Sequence, residues 1–406
     1  MTATGEARPD LADGPMTGVR VIEFGLAIAG PYACSMLGDL GAEVIKVESR
    51  TGGDSHRRMG PSHNGATLWW TVVGRNKKSV TLDVKTEEGR AVFLDLVARS
   101  DALVENFRPG VLEGLGLDPD TLFGANPDLV VARVSGFGQT GPYASRRGFG
   151  KIAEAFSGAS NLTGEADGNP IHPGYSLGDT VTGLTAAFAI TAALRARDLG
   201  HGGQVIDLAL YEGLFRMIDW QIPVAALTGL NARRQGVGFP LAGAFLTGIW
   251  PASDGRYVVV SAATADTQER IFRLLQQEGE LAGMEWAFDP DVVGEIVKAT
   301  ERWIAVNPSE RVFQVFEDAG AVAGIVHEPM TLLEDPHIRA RQNIVDVEHP
   351  TAGTIPMPGV VPAMSATPGR VRHVAPELGQ HTDEVLASVL GYDPERIATL
   401  RASGVV

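Results

Sequence analysis

Asp179 stands between Gly178 and Thr180 in "PGYSLGDTVTGLTAAFAITAAL", directly ahead of a long apolar run. A carboxylate beside glycine at a helix start is sterically open. The free N–H groups and dipole of that helix end favour its ionised form. Such a group can serve as a nucleophile or a base. The same placement suits an N-cap, because Asp is among the preferred capping residues.

Cations recur near loop ends, in "SRTGGDSHRR", "GRNKKS", "NFRPG" and "ASRRG". Guanidinium and ammonium groups grouped in this way suit a small polyanion. His56, His63, His172 and His201 form no H-x-x-x-H pair, so no metal site is expected.

Two glycine loops invite a nucleotide reading. "VSGFGQTGPY" contains G-x-G-x-x-G, but Pro142 follows its third glycine, and the nearest acids, Glu154 and Glu165, do not end a second strand. It reads as a Gly-rich turn after a strand. The loop "FGLAIAGPYACSML" does enter a helix, with Pro31 in the first turn. Free N–H groups at such an end can hold a phosphate or carboxylate.

These loops need elements to hold them. "VRVIEFG", "EVIKVE", "KKSVTLDV", "DALVENF" and "DLVVARVSG" read as strands, alternating with helices in "PYACSMLGDLGA" and "TEEGRAVFLDLVARS", the latter capped by Thr86. That alternation implies a parallel sheet covered on both faces. "GLTAAFAITAALRARDLG" predicts a helix buried all round and closed by Gly200, followed by a strand in "GQVIDLAL". "FLTGIWPASDGRYVVVSAAT" predicts a hairpin turning at Ser253-Asp254-Gly255, with helices from 265 to 320. From Pro350 the chain is rich in Pro and Gly, and is expected to lie along a surface, its own or that of another subunit.

The chain has 406 residues, 44% of them hydrophobic, which is enough for two packed domains. Its formal charge of −15 opposes binding to a nucleic-acid backbone. A lone Cys34 excludes an intrachain disulfide and fits a reducing compartment, so a cytoplasmic location is expected. Residues 1–16 carry no apolar core of about 7–15 residues like that of a signal peptide, and no membrane span is expected.

Taken in order, "GVRVIEFGLAIAGPYACSMLGDLGAEVIKVE", "NKKSVTLDVKTEEGR", "LVENFRPGVLEGLGL", "VSGFGQTGPY", "AFSGASNLTG" and the Asp179 segment resemble the class III coenzyme A transferases. This family includes formyl-CoA transferase, carnitine CoA-transferase and α-methylacyl-CoA racemase. The resemblance implies a Rossmann-like α/β large domain (17–224) after a flexible 1–16, a smaller α+β domain (225–335), a return of 336–406 to the large domain, and an interlocked homodimer.

It further implies that Asp179 attacks an acyl-CoA thioester, and that CoA is held by Ala29, Gly30, Arg50, Leu82, Asn106, Phe107, Arg108 and Arg147. Acyl-CoA and a carboxylic acid are then the substrates, with no permanently bound cofactor. The Arg146-Arg147 pair suggests a dicarboxylate. Ile28 replaces the Gln of formyl-transferring members. Phe149 lies where the racemase branch carries a base, and a phenyl ring cannot exchange protons. "FPLAGAFLTG" (239–248) is the expected active-site flap. The other readings are an acyl-CoA racemase with Asp179 shuttling the α-proton, and a non-catalytic CoA-binding protein.

Overall fold

The computed structural model describes residues 14–236 and 245–406. The described chain forms two compact units. The first comprises the chain up to Ser157, Gly174–Met217 and Pro336–Val406; the second comprises Gly158–Pro173 and Ile218–Asp335.

The first unit is built on strands β1 (Arg20–Phe24), β2 (Glu43–Glu48), β3 (Lys77–Thr81), β4 (Ala102–Glu105), β5 (Val130–Ser135) and β6 (Gln204–Ala209). The near-continuous burial of β1, β2, β4 and β5 is what a parallel sheet covered on both faces requires. The strands pair in parallel in the order β3-β2-β1-β4-β5-β6, with Ile22 of β1 opposite Ile45 on one side and Leu103 on the other. The order reverses between β1 and β4, and in such sheets the crevice outside the carboxyl ends of those strands receives ligands.

One face is covered by α1 (Ala29–Asp39) and by a helix over Leu177–Ala196, through Ala33, Leu37, Ala186 and Ile190. The two helices touch closely, because a Cβ on Gly183 would lie 2.9 Å from the Ala29 carbonyl oxygen. The other face is covered by α2 (Glu87–Val97), whose Thr86 side chain accepts from the Gly89 N–H, and by the C-terminal helices over Thr382–Ser388 and Pro394–Ala402. Phe93, Leu386 and Leu400 share that core.

One expectation is corrected. The helix over Leu177–Ala196 is not buried all round: Leu184 and Phe188 are 45% and 74% exposed. By length and hydropathy it passes for a membrane span, but half of it is packed inside the unit. The Pro- and Gly-rich stretch lies against its own unit. Arg370 N–H donates to Asp39 O (2.9 Å), Arg372 N–H to Asn76 Oδ1 (2.7 Å) and Arg57 to Pro376 O (2.8 Å).

In the second unit, strands over Leu246–Pro251, Tyr257–Ala262 and Ala323–Ile325 form an antiparallel sheet. Helices over Ala265–Gln277, Pro290–Val306 and Ser309–Asp318 pack on it through Ile271, Ile304 and Phe316. Asp254, in the predicted turn, accepts from the Ser309 N–H (3.0 Å).

Candidate active site

The loops that follow β1, β4 and β5 converge at the carboxyl edge of the sheet, where α3 (Gly150–Phe156) and α4 (Leu177–Ala196) begin. They enclose a hollow of about 580 Å³ lined by Ala29, Asn106, Phe107, Arg108, Arg147 and Asp179, together with Leu26–Ile28, Arg146 and Phe149. Leu26, Phe107 and Val111 also line a second hollow of about 500 Å³, which holds Arg50, Leu82 and Lys85. Of the nine residues that the resemblance assigns to catalysis and CoA binding, Gly30 alone reaches neither hollow. It is buried in the first turn of α1, where a Cβ would lie 3.4 Å from Asn106 Cγ.

Asn106 is engaged with the backbone rather than free. Its Oδ1 accepts from Leu26 N–H (2.8 Å), and its Nδ2 donates to Leu26 O (2.7 Å). Gly25 makes room for it, since a Cβ there would fall 2.7 Å from Asn106 Oδ1. Three exposed cations sit among the lining residues of a strongly acidic protein. Arg108 donates to Ser145 O at 3.5 Å, and Arg146 stacks 3.5 Å over the Tyr143 ring. Arg50 donates to the Gly404 carbonyl oxygen.

The G-x-G-x-x-G stretch serves packing. Gly136 and Gly148 meet so closely that a Cβ on either would come within 2.9 Å of the other's Cα, and no helix opens before Gly150. Gly150 and Gly178 repeat the device one step on. A Cβ on Gly150 would lie 2.1 Å from Asp179 Oδ2, and one on Gly178 would lie 2.5 Å from the Gly150 carbonyl oxygen. The starts of α3 and α4 thus meet backbone to backbone, with the carboxylate of Asp179 laid against the join.

Asp179 is not the cap of α4. Ser176 occupies that position, and Asp179 is three residues further on. Nor does the helix end hold it strongly ionised, as the sequence suggested. Burial first, and then the negative charge of Glu154, push its carboxyl up to about 6, with Lys151 opposing in part. Glu154 is 1% exposed. Its Oε1 accepts from the Gly178 N–H (3.1 Å) and from Lys151 Nζ (3.1 Å), which also donates to Tyr175 O (2.8 Å). These neighbours of Asp179 were not singled out in the sequence as site residues. Their only local cue is the Lys-x-x-Glu spacing of a helix face.

The spacing G-x-S-x-G, a serine-hydrolase cue, occurs at Gly174–Gly178. It is not a nucleophile elbow, because no strand precedes Ser176 and no histidine lines the hollow. Among the described residues no cluster of His, Cys, Asp and Glu could hold a metal ion. The expected flap at 239–248 lies largely outside the described residues, which resume at Phe245.

A nucleophilic carboxylate reacts when ionised, so kcat/KM is expected to fall about tenfold per pH unit below an inflection near that of Asp179, about 6. Glu154→Gln removes the nearby negative charge and is expected to move the inflection to lower pH. A flat profile between about pH 5 and about pH 8 would contradict an ionising Asp179.

The profile of CoA-transferase family III matches residues 16–382. The succinyl-CoA–D-citramalate CoA-transferase of Chloroflexus aurantiacus is 40% identical over 403 residues, covering 97% of this chain and 98% of that protein. The succinyl-CoA–L-malate CoA-transferase alpha subunit of the same organism is 39% identical, covering 97% and 92%. The crystal structure of a CaiB/BaiF family protein from Brucella suis superposes with a TM-score of 0.82 at 30% identity, covering 93% of this chain and all of that one.

Proposed function

The chain belongs to CoA-transferase family III, and from that premise we propose that it moves CoA from succinyl-CoA to a small dicarboxylic acid of the malate or citramalate kind, through covalent intermediates on Asp179. One observation carries this reading. Among the described residues Asp179 is the lone carboxylate lining a hollow whose other walls are mostly apolar, with Asn106, Ser135 and three arginines.

In the proposed cycle the Asp179 carboxylate attacks the thioester carbonyl. The C–S bond breaks, giving an acyl-aspartyl anhydride and CoA thiolate. The thiolate attacks the aspartyl carbonyl, which releases succinate and leaves an aspartyl-CoA thioester. The acceptor carboxylate then attacks that thioester, forming a second mixed anhydride and freeing thiolate again. Attack of thiolate on the acceptor's carbonyl gives the new acyl-CoA and restores Asp179. Each step exchanges one activated acyl bond for another, so the thioester's free energy is preserved. Water must be excluded, because it would hydrolyse the anhydride.

The two adjoining hollows suit a long ligand such as CoA. In the proposed arrangement Arg50 and Leu82 meet its nucleotide end, Phe107 lies between the two hollows, and Ala29, Asn106, Arg108 and Arg147 flank the path to Asp179. A second carboxylate on donor and acceptor is met by Arg146 or Arg147. Leu184, Phe188, Phe215 and Met217 expose apolar surface that a second copy of the chain covers in the proposed homodimer, interlocked as the family resemblance implies. Light scattering is expected to give a dimer mass, and a monomer at micromolar concentration would overturn that part of the proposal. The proposed setting is the reducing cytoplasm, where buried Cys34 stays a thiol.

Intact-protein mass spectrometry after incubation with succinyl-CoA, with hydroxylamine as trap, tests the function. A CoA-sized or succinyl-sized adduct mapping to Asp179, discharged by malate or citramalate and not by monocarboxylic acids, is the expected result. Exchange of solvent deuterium into the α-carbon with no adduct would favour a racemase instead.

A further inference from the structure

Ala27 follows β1 and lines the main hollow, yet its backbone is left-handed, with φ of +61°. For a residue with a Cβ this conformation is strained. The surrounding contacts must therefore hold the loop in place.

Both backbone polar groups of Ala27 are taken by one short motif, Asp54-Ser55-His56. The Ala27 N–H donates to Asp54 Oδ1 (2.9 Å), and the Ala27 carbonyl oxygen lies 2.6 Å from His56 Nδ1. A carbonyl only accepts, so His56 carries its proton on Nδ1. Asp54 also accepts from the His56 N–H (2.9 Å), which ties the two arms together.

The motif is anchored below the loop. Lys46 Nζ bridges Asp54 (2.8 Å), Glu23 (2.5 Å) and the Gly25 carbonyl oxygen (3.0 Å), and Glu23 in turn pairs with Lys77 (2.7 Å). Lys46, Lys77, Glu23, Asp54 and His56 are all fully buried. Buried charges are stable only when paired in good geometry, so the Asp54 rotamer is tightly determined. His56 is further wedged edge-on against Trp69 at 4.5 Å between ring centroids. Asn106 grips the preceding residue through both polar groups of Leu26. The loop is thus held by its backbone at two successive residues.

We infer that Asp54 and His56 are positioning residues for the reaction, clamping Ala27 in its left-handed conformation and so aiming the Leu26–Ala29 wall of the hollow at the bound thioester. This rests on the CoA-transfer reading above. The clamp itself does not.

His56→Phe keeps an aromatic ring beside Trp69 and removes the Nδ1–H that Ala27 accepts. It is expected to lower kcat/KM for succinyl-CoA by about tenfold or more, because small misplacements of a site wall are costly in rate. His56→Asn, which offers an N–H near the place of Nδ1, is expected to recover most of the loss. So is Ala27→Gly in the His56→Phe background, since glycine adopts positive φ without strain. Backbone amide exchange at Ala27 and Ile28 is expected to quicken in His56→Phe and to return towards the parent rate in His56→Asn.

A folded His56→Phe protein with kcat/KM within about twofold of the parent would overturn the inference. Unchanged exchange at Ala27 would do so as well, even if this variant were the less stable one. Should His56→Phe not fold, His56→Leu carries the same test: a loss of about tenfold in kcat/KM with faster exchange at Ala27 is the expected result, and parent-like values of both overturn the inference. If the parent enzyme transfers CoA to no acid tested, the functional reading fails, while the exchange measurement still decides the clamp.

Discussion

Asp179→Ala is expected to abolish CoA transfer, lowering kcat by about three orders of magnitude or more, the scale seen when the nucleophile of a covalent mechanism is removed. Among the described residues no other carboxylate lines the hollow to take its place, and Glu154, though near, is buried and bound to Gly178 and Lys151. The adduct seen by mass spectrometry is expected to vanish, while CoA binding, measured by calorimetry, stays within a few-fold of the parent.

Stability moves the other way. The Asp179 carboxyl in the folded protein lies above its ordinary value of 3.8, at about 6. Folding is therefore favoured by the protonated form, and that contribution is lost as pH rises through about 6; at neutral pH the ionised group is a net cost. The variant's melting temperature at neutral pH is accordingly expected to equal or exceed the parent's. An Asp179→Ala protein that still transfers CoA at the parent rate would remove the covalent mechanism from consideration.

Gly150→Ala is expected to have the next largest effect, although residue 150 carries no chemistry. A methyl group there would need to sit 2.1 Å from Asp179 Oδ2, so either the carboxylate rotates away or the start of α3 shifts. We expect kcat to fall about 100-fold, in keeping with the cost of displacing a reacting group by an ångström. A stability loss of about 1–3 kcal/mol from overpacking is expected alongside it. The KM for succinyl-CoA is expected to change far less, because Arg50, Phe107 and Arg108 are untouched. The split between kcat and KM, together with the yield of trapped adduct, checks this. Parent-like kcat would show that Asp179 is not held against α3 during turnover.

The elements of the first unit were legible in the sequence because their cues are local. Apolar runs such as "RVIEF" and "VVARVS" bury on both faces wherever a parallel sheet places them, and Thr86 caps the helix it precedes. The hairpin at Ser253-Asp254-Gly255 was equally plain, because the turn chemistry sits within the turn itself. Resemblance of whole motifs then brought together residues that no periodicity connects, from Ala29 to Arg147, and all but Gly30 line the two adjoining hollows.

What sequence could not supply depends on groups distant in the chain. The helix over Leu177–Ala196 looked buried on every side because composition reports apolarity, and only packing shows which side is covered; Phe188 stays largely exposed. Asp179 looked like an ionised helix-end carboxylate because dipole and cap are local effects, but its protonation is governed by burial and by Glu154, 25 residues before it. Ala27 carries no signal of its left-handed backbone, since a strained residue is recognisable only from the Asp54 and His56 groups that hold it.

The chain by itself thus determined the strands and the helices, set by neighbours in sequence, and through its resemblance to a family it singled out Asp179 as the proposed reactive carboxylate. The tertiary structure alone decided how that carboxylate is charged and how its surrounding wall is held. Electrostatic and steric effects act through space over a few ångströms, whatever the separation along the chain.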